Sequence, residues 1–254
     1  MKLYYILAFG TLLCSQLCSS ASAAMASEEP YNSGIVLRWK DCKQRIDGFG
    51  IAQAGWAKEL FAFKNREQVM DKMFGKDGLR LNILRGEIFP HYWENETDKD
   101  FNLNDDIHIE LSDSDFINKS DDLLRRGQLW LTLKAKNKYH ISKLVFSTWS
   151  APAWMKSNGK VSNGRLKTEC YTDFANYLAA FYNAYKSKGI APYAISPSNE
   201  PGYAAPWNSS LWTADEMGKF ITSYLGPTFR KENIPAKIIF GENPLWAVYM
   251  PQLK

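Results

Sequence analysis

Apolar positions occur along the chain either in short runs or at steps of three and four residues, and together these patterns predict alternating strands and helices from about residue 46 onward. Short apolar runs bounded by turn residues are typical of buried strands. Five such runs predict strands at 46–51, 79–88, 143–149, 193–196 and 237–240. Because helical segments separate them, we expect a parallel sheet with helices packed outside it.

Capping residues and periodicity mark the helices between these strands. Asn65 is placed to begin a helix that ends at Gly75, with Gln68 completing a capping box. Segment 172–189 repeats aromatic residues at steps of three and four, and Gly189 sits where a helix C-cap belongs.

A further helix is predicted at 213–226, with a capping box at its start and Gly226-Pro227 as its stop. The stretch 116–135 has helical content without clear limits, since it carries Gly127. The long polar stretch 89–114 predicts a surface loop or lid.

Polar and aromatic residues gather directly after the predicted strands. "RGE" ends the second strand, and "STWSAPAW", "SPSNEP" and "GEN" follow at the ends of the next three. In a (β/α)₈ barrel this carboxyl-end rim is where active sites are built. No G-x-G-x-x-G opens a helix, so we favour an α/β TIM barrel over a nucleotide-binding open sheet.

The rim residues suit the cleavage of a glycosidic bond, which needs a carboxylic acid to protonate the leaving oxygen. Glu200 follows the fourth strand, Asn199 beside it can donate a hydrogen bond to a sugar hydroxyl, and Pro201 stiffens the turn. The three-residue motif is also compatible with an ordinary surface loop, because Pro, Ser, Asn and Gly are common turn residues.

Four aromatic residues on two neighbouring rim loops strengthen this interpretation, because flat apolar rings stack on sugars. They are Trp149, Trp154, Tyr203 and Trp207. For any one of them, filling the core is the alternative role.

Arg85 ends the second strand, where it can form a structural salt bridge to Asp47 or Glu87, or keep a catalytic carboxylate ionised; the two roles are compatible.

Composition and the N-terminal sequence narrow the class of protein and its cellular location. The 254 residues, 45% hydrophobic and 23% charged, are typical of a globular protein, and a scattered net charge of +4 does not favour nucleic acid or anionic membrane as a partner.

The N-terminus predicts a signal peptide at 1–23, on the basis of Lys2, an apolar run at 3–13 and small residues at 19–24. We therefore expect a secreted protein, which would be periplasmic in a Gram-negative host. We expect no membrane span, metal or cofactor. Cys42 and Cys170 leave one possible disulfide.

Five stretches, in this order, resemble glycoside hydrolase family 30: "IDGFG", "GLRLNILR", "FSTWSAPAWMKSNG", "ISPSNEP" and "PWNSSLWTADEMGKFI". The resemblance implies a (β/α)₈ barrel over 47–254 with a retaining mechanism. It implies that Glu200 is the general acid/base, that Asn199 touches substrate, and that Arg85 and Trp149 line the sugar subsite. It also implies that segment 24–46 supplies a strand to a β-sandwich side domain.

The chain departs from that family pattern in one respect. The family's nucleophile is a Glu about a hundred residues beyond the acid/base, which would fall near residue 300, so we expect an incomplete barrel of about five β/α units and an inactive fragment of a longer enzyme. Glu242 ends the fifth strand, where the family often has an acid that is not the nucleophile.

The resemblance leaves the substrate open among β-1,6-galactans, β-1,6-glucans, xylans and glucosylceramide. "NEPGYAAPWNSSLWTADEM" looks most like the galactanase branch. The alternative function is a carbohydrate-binding protein without catalysis, which keeps the aromatic cleft and lacks the second carboxylate. The sequence does not indicate an oligomeric state.

Overall fold

The computed structural model describes residues 45–53, 56–90, 93, 96–97 and 127–244. The chain divides into two units, 1–46 and 47–254, and the account below concerns the described part of the second. Its strands are β1 (Gly50–Ala52), β2 (Ile83–Ile88), β3 (Lys143–Thr148), β4 (Ala194–Ser196) and β5 (Lys237–Ile238). All five predicted strands are therefore present, each within or close to its predicted range.

The strands form one parallel sheet in the order β1-β2-β3-β4-β5, so each strand pairs with its neighbours in sequence. Within it, Arg85 lies opposite Val145, and Glu87 lies opposite Ser147. Sequential parallel pairing is the order expected of the first five strands of a (β/α)₈ barrel. It brings the carboxyl ends of all five strands to one edge, as the sequence predicted.

Helices separate the strands as expected. They are α1 (Ala57–Ala62), α2 (Arg66–Phe74), α3 (Gln128–Tyr139), α4 (Tyr171–Ser187), α5 (Ala214–Phe220) and α6 (Gly226–Lys231), with short 3₁₀ turns at Ala153–Met155 and Thr168–Cys170. The aromatic face predicted for the long helix is fully buried and comprises Phe174, Tyr177, Leu178, Phe181, Tyr182 and Tyr185. Phe146 of β3 packs edge-on against Phe181 and Tyr185, which fixes α4 on the sheet.

Two local predictions about helix ends are wrong. Asn65 precedes α2, but its side chain makes no capping hydrogen bond, so the box with Gln68 is absent. Gly226-Pro227 does not stop the helix that begins at Ala214, because a π-helical turn at Ile221–Leu225 carries it into α6. A proline in the first turn of a helix needs no N–H partner, which makes this continuation possible. The capping box of Thr213 and Glu216 is confirmed.

Several sequence predictions lie outside the described residues. These are the signal peptide at 1–23, nearly all of the segment at 24–46 assigned to a side domain, most of the loop at 89–114, and Cys42 as a disulfide partner. Among the described helices, none has the length and apolar character needed to cross a membrane.

Candidate active site

Arg85 connects three strand ends at the carboxyl edge of the sheet. Its Nε and Nη2 atoms each donate to the Glu242 carboxylate at 3.2 Å, and Nη2 also donates to Asn199 Oδ1 at 2.6 Å. The structural salt bridge expected of Arg85 is therefore present, but its partner is Glu242, and Asp47 pairs with Lys143 instead, at 3.2 Å. A forked guanidinium matches a carboxylate with two parallel bonds, which fixes the orientation of both groups.

Trp149 covers the other side of Arg85. The guanidinium carbon lies 4.5 Å from the centroid of the indole ring, within the range of a cation–π contact. Trp149 directly follows β3 and is half-buried, and its role at a sugar subsite stays a prediction. The contact holds the ring and the cation as one unit at the rim.

Glu242 is the carboxylate that binds Arg85 at this edge. The sequence placed it at the end of the fifth strand but did not indicate its hydrogen-bond partners. Besides Arg85, it accepts a hydrogen bond of 2.6 Å from Ser147 Oγ on β3. Both carboxylate oxygens are thus engaged by groups from β2 and β3. The signal available in the sequence was the acid in "GEN", which follows the fifth strand as Glu200 follows the fourth.

Glu200 is held by its backbone at the same edge. Its N–H donates to the Glu242 carbonyl at 2.9 Å, and the preceding N–H of Asn199 donates to Thr148 O at 2.6 Å. Glu200 has φ +45°, a left-handed conformation that is rare for residues other than glycine and often found at functional sites. The residue is half-buried, and no hydrogen bond to its carboxyl is found within the described part of the chain.

Tyr203 and Trp207 form an aromatic pair on the loop that follows Glu200. Their ring centroids lie 6.3 Å apart, and the side chains are 45% and 55% exposed. Exposed aromatic rings beside an acid are available to stack on sugar. Trp154 behaves differently, because it packs against the hydrophobic core and its Nε1 donates to the carbonyl of Trp93 at 3.2 Å. Its role in substrate binding stays a prediction.

A second acid, which the sequence suggested only as a salt-bridge partner of Arg85, lies two residues after it. Glu87 is 7% exposed, and burial raises the pKa of its carboxyl to about 7, against the opposing effect of the charge of Arg85. The site thus contains a carboxyl that holds its proton near neutral pH.

A match to a known protein family identifies the domain that contains this site. Residues 46–241 match the glycosyl hydrolase family 30 TIM-barrel domain. The chain belongs to glycosyl hydrolase family 30. Within that family, the barrel architecture accounts for the five parallel strands and for the collection of Arg85, Asn199, Glu200 and Glu242 at one edge.

Curated relatives of this family 30 chain carry different activities in their names. Putative glucosylceramidase 3 of Caenorhabditis elegans is 29% identical over 83% of the chain and 41% of its own length. Glucuronoxylanase XynC of Bacillus subtilis strain 168 is 27% identical over 91% of the chain and 46% of its own length. The chain therefore spans less than half the length of these relatives.

A solved structure agrees on the fold of this family 30 chain. The crystal structure of SrfJ from Salmonella typhimurium has a TM-score of 0.65 at 23% sequence identity, over 82% of this chain and 48% of that one. Similarity at this level of identity supports the fold. The partial coverage again corresponds to about half of the longer chain.

Proposed function

We propose that the chain is the part of a secreted, retaining β-glycoside hydrolase that carries the general acid/base, Glu200. One observation carries this proposal. The Asn199–Glu200 pair follows a barrel strand and is tied by Asn199 to Arg85, which also contacts Glu242 and Trp149. This arrangement puts an acid, a hydrogen-bonding amide and an aromatic face at one rim.

In the first step, Glu200 protonates the glycosidic oxygen as the bond to the anomeric carbon breaks, and a second carboxylate attacks that carbon. Glu200 then takes a proton from water, which releases the sugar from the enzyme. Asn199 is oriented by Arg85, so its amide nitrogen is free to face a ring hydroxyl while its oxygen is occupied.

We place the nucleophile, a Glu, outside these 254 residues. Glu242 contacts the Glu200 N–H through its backbone carbonyl, and both of its carboxylate oxygens are already engaged by Arg85 and Ser147. That bonding suits a residue that orients the rim rather than one that attacks a sugar carbon. The mechanism therefore assigns Glu242 to positioning Arg85.

The proposed substrate is a β-linked polysaccharide or a glycosylceramide. The names of the relatives point to both a glucosylceramidase and a glucuronoxylanase, and "NEPGYAAPW" favours a β-1,6-galactan. Hydrolysis of β-1,6-galactan, β-1,6-glucan, xylan and glucosylceramide by the full-length protein, followed by product analysis, distinguishes these substrates. Secretion is tested by sequencing the N-terminus of exported protein, which we expect to begin at residue 24.

Replacing Glu200 by Gln in the full-length protein tests the mechanism. The variant keeps the shape of the side chain and removes its proton, so we expect turnover of unactivated glycosides to fall by a factor on the order of 10² to 10⁴. Glu169→Gln, at an exposed position, is the matched control and should retain activity. Undiminished turnover in the Glu200 variant would remove this residue from the mechanism.

A non-catalytic carbohydrate-binding protein is the second candidate, because the exposed pair Tyr203 and Trp207 suits binding alone. Calorimetry with the same polysaccharides separates the two functions. Binding without any product, in the full-length protein and under all conditions, favours the binding protein. Product formation that depends on Glu200 favours the hydrolase.

A further inference from the structure

Ser209 is a buried serine on the loop that follows β4, without a role in the mechanism proposed above. This 201–212 loop closes on itself, because Trp212 N–H donates to the Pro201 carbonyl at 2.8 Å. Loops whose ends meet in this way are compact and are often functional. Ser209 is only 5% exposed, although the same loop holds Trp207 out to solvent.

The hydroxyl of Ser209 holds the backbone on both sides of the Pro206-Trp207 dipeptide. Its single proton is shared between the Ala205 carbonyl at 2.9 Å and the Trp207 carbonyl at 3.1 Å. The hydroxyl oxygen in turn accepts a hydrogen bond of 2.9 Å from Asn163 N–H. One side chain thus fixes the peptide groups that precede and follow this dipeptide.

Ser209 is itself anchored to a neighbouring hairpin, residues 156–166, which an antiparallel bridge closes at its base. Ser209 N–H donates to the Val161 carbonyl at 3.0 Å. The Ser209 carbonyl accepts a hydrogen bond of 2.8 Å from the buried ammonium group of Lys156. Together with the bond from Asn163, all three polar groups of Ser209 are therefore bonded to the 156–166 hairpin.

Tyr203 is tied to the same backbone from the other end of the loop. Its N–H donates to the Glu200 carbonyl at 2.9 Å, and its own carbonyl accepts a hydrogen bond of 3.1 Å from Ala205 N–H. Its ring centroid lies 6.3 Å from that of Trp207. The aromatic pair therefore stands between the proposed acid and Ser209, on a backbone that is bonded at both ends.

We propose that Ser209 is a positioning residue for substrate recognition, which fixes the backbone of Trp207 and thereby holds its ring beside Tyr203 at the rim. A loop that must become ordered when a sugar binds loses conformational freedom, and this weakens binding. A loop that is already ordered avoids that loss. The inference rests on the proposed function, since the pair is taken to contact the sugar. Ser209 itself acts through the backbone of Trp207 and not on the substrate.

The first test reads the environment of Trp207 without reference to activity. The full-length protein is labelled with 5-fluorotryptophan, and the fluorine resonance of Trp207 is assigned by its loss in Trp207→Phe. In the wild type we expect a line as broad as those of buried tryptophans, although Trp207 is 55% exposed. Ser209→Ala removes the hydroxyl, so the resonance should shift and its line should narrow, because a freer ring relaxes more slowly.

Ser187→Ala is the matched control. Ser187 Oγ also donates to a backbone carbonyl, that of Ala184 at 2.7 Å, but it is exposed at the end of α4. This variant should leave the resonance of Trp207 unchanged. Should Ser209→Ala fail to fold, Ser209→Cys keeps the volume with a weaker donor and must change the line in the same direction.

An unchanged Trp207 resonance in the Ser209 variant overturns the inference, and so does a wild-type line as narrow as that of the unfolded protein. These readings stand even if the protein hydrolyses nothing, so they fail separately from the proposed function.

Kinetics of the full-length protein supply the second readout, with whichever of β-1,6-galactan, β-1,6-glucan and xylan it hydrolyses. KM should rise severalfold in Ser209→Ala while kcat stays within a factor of about two, because the change affects binding and leaves Glu200 in place. Ser187→Ala should keep both constants. A purely structural role would lower the melting temperature and leave KM and the Trp207 line as in the wild type, which contradicts the inference.

Discussion

Arg85 and Glu242 are joined by two hydrogen bonds of 3.2 Å each, although 157 positions separate them in the chain. The pair links β2 to the segment that follows β5, and so connects two strand ends that β3 and β4 separate in the sheet. It also places Arg85 where it bonds Asn199 and stacks on Trp149. One cation thus orients the amide and the ring that flank the proposed acid.

Arg85→Lys tests this geometry while keeping the charge. Lysine is a point charge without a planar fork, so it cannot bond Glu242 twice, bond Asn199 and cover the indole ring at once. We expect kcat/KM of the full-length enzyme to fall by roughly 10- to 100-fold, corresponding to about 1.4–3 kcal/mol of transition-state stabilisation.

The control for this substitution is Arg230→Lys, which changes an exposed arginine at the end of α6. It should leave kcat/KM within a factor of about two of the wild type, as expected for a surface change. If Arg85→Lys also leaves kcat/KM unchanged, the bidentate pair and the contact with Trp149 do not matter for turnover.

The pKa of Glu87 predicts a pH dependence of stability with a definite sign. The folded chain holds this proton up to about pH 7, whereas the unfolded chain releases it near 4.5. Between these values the folded state binds more protons, so the free energy of unfolding falls as pH rises. Relative to Glu87→Gln, the wild type should lose roughly 2 kcal/mol from about pH 5 to about pH 8.

Urea unfolding of both proteins at several pH values measures this difference. The exposed Glu232→Gln variant serves as the reference, and its difference from the wild type should stay nearly constant with pH. A constant difference for Glu87→Gln as well would show that Glu87 titrates alike in the folded and unfolded chains.

Much of the fold followed from local patterns. The five strands were predictable because each is a short apolar run, and the aromatic face of α4 was predictable from its spacing. The rim composition was visible too, because "SNEP" and "GEN" lie directly after strands. Such features depend only on neighbours in sequence, which is the information that a pattern contains.

The partners of the site residues were not predictable in the same way. Asp47 and Glu87 were expected as possible partners of Arg85, yet the fold brings Arg85 to Glu242, 157 positions away in the chain. Gly226-Pro227 predicted a helix stop, but a π-helical turn carries the helix past it. Both errors arise where tertiary packing overrides a local rule.

Gly86 lies between Arg85 and Glu87 on β2 and tests how tightly this strand is packed. A Cβ built there would lie 2.6 Å from Phe146 Cε1 and 3.0 Å from Gln128 Oε1. Phe146 is itself held by Phe181 and Tyr185, so it has little room to move. Gly86→Ala should therefore destabilise the protein by about 2 kcal/mol, as overpacking does elsewhere.

Gly218 in α5 is the matched control, because a Cβ there meets nothing within 4 Å. Gly218→Ala should stabilise the chain by about 0.5–1 kcal/mol, since alanine loses less conformational freedom in a helix. Thermal unfolding followed by circular dichroism measures both shifts. Equal effects of the two substitutions would contradict the steric argument.

Lys156 is a fully buried lysine whose ammonium group holds three segments of the rim together. Its Nζ donates to Ser150 Oγ at 3.0 Å, to the Asn163 carbonyl at 2.6 Å and to the Ser209 carbonyl at 2.8 Å. These three acceptors use all three of its protons. Burial lowers the pKa of this group to about 8, so it is still mainly charged at neutral pH.

Lys156→Met keeps the apolar stem and removes the donors, leaving two buried acceptors and one partly buried acceptor without this partner. Each such group costs about 1–3 kcal/mol, partly offset because no charge is buried any longer, so a net loss of about 2–3 kcal/mol is expected. Lys160→Met, at an exposed position in the same turn, should cost less than about 0.5 kcal/mol. A Lys156 variant as stable as the control would mean that the three acceptors find other donors and that the ammonium group does not hold these segments together.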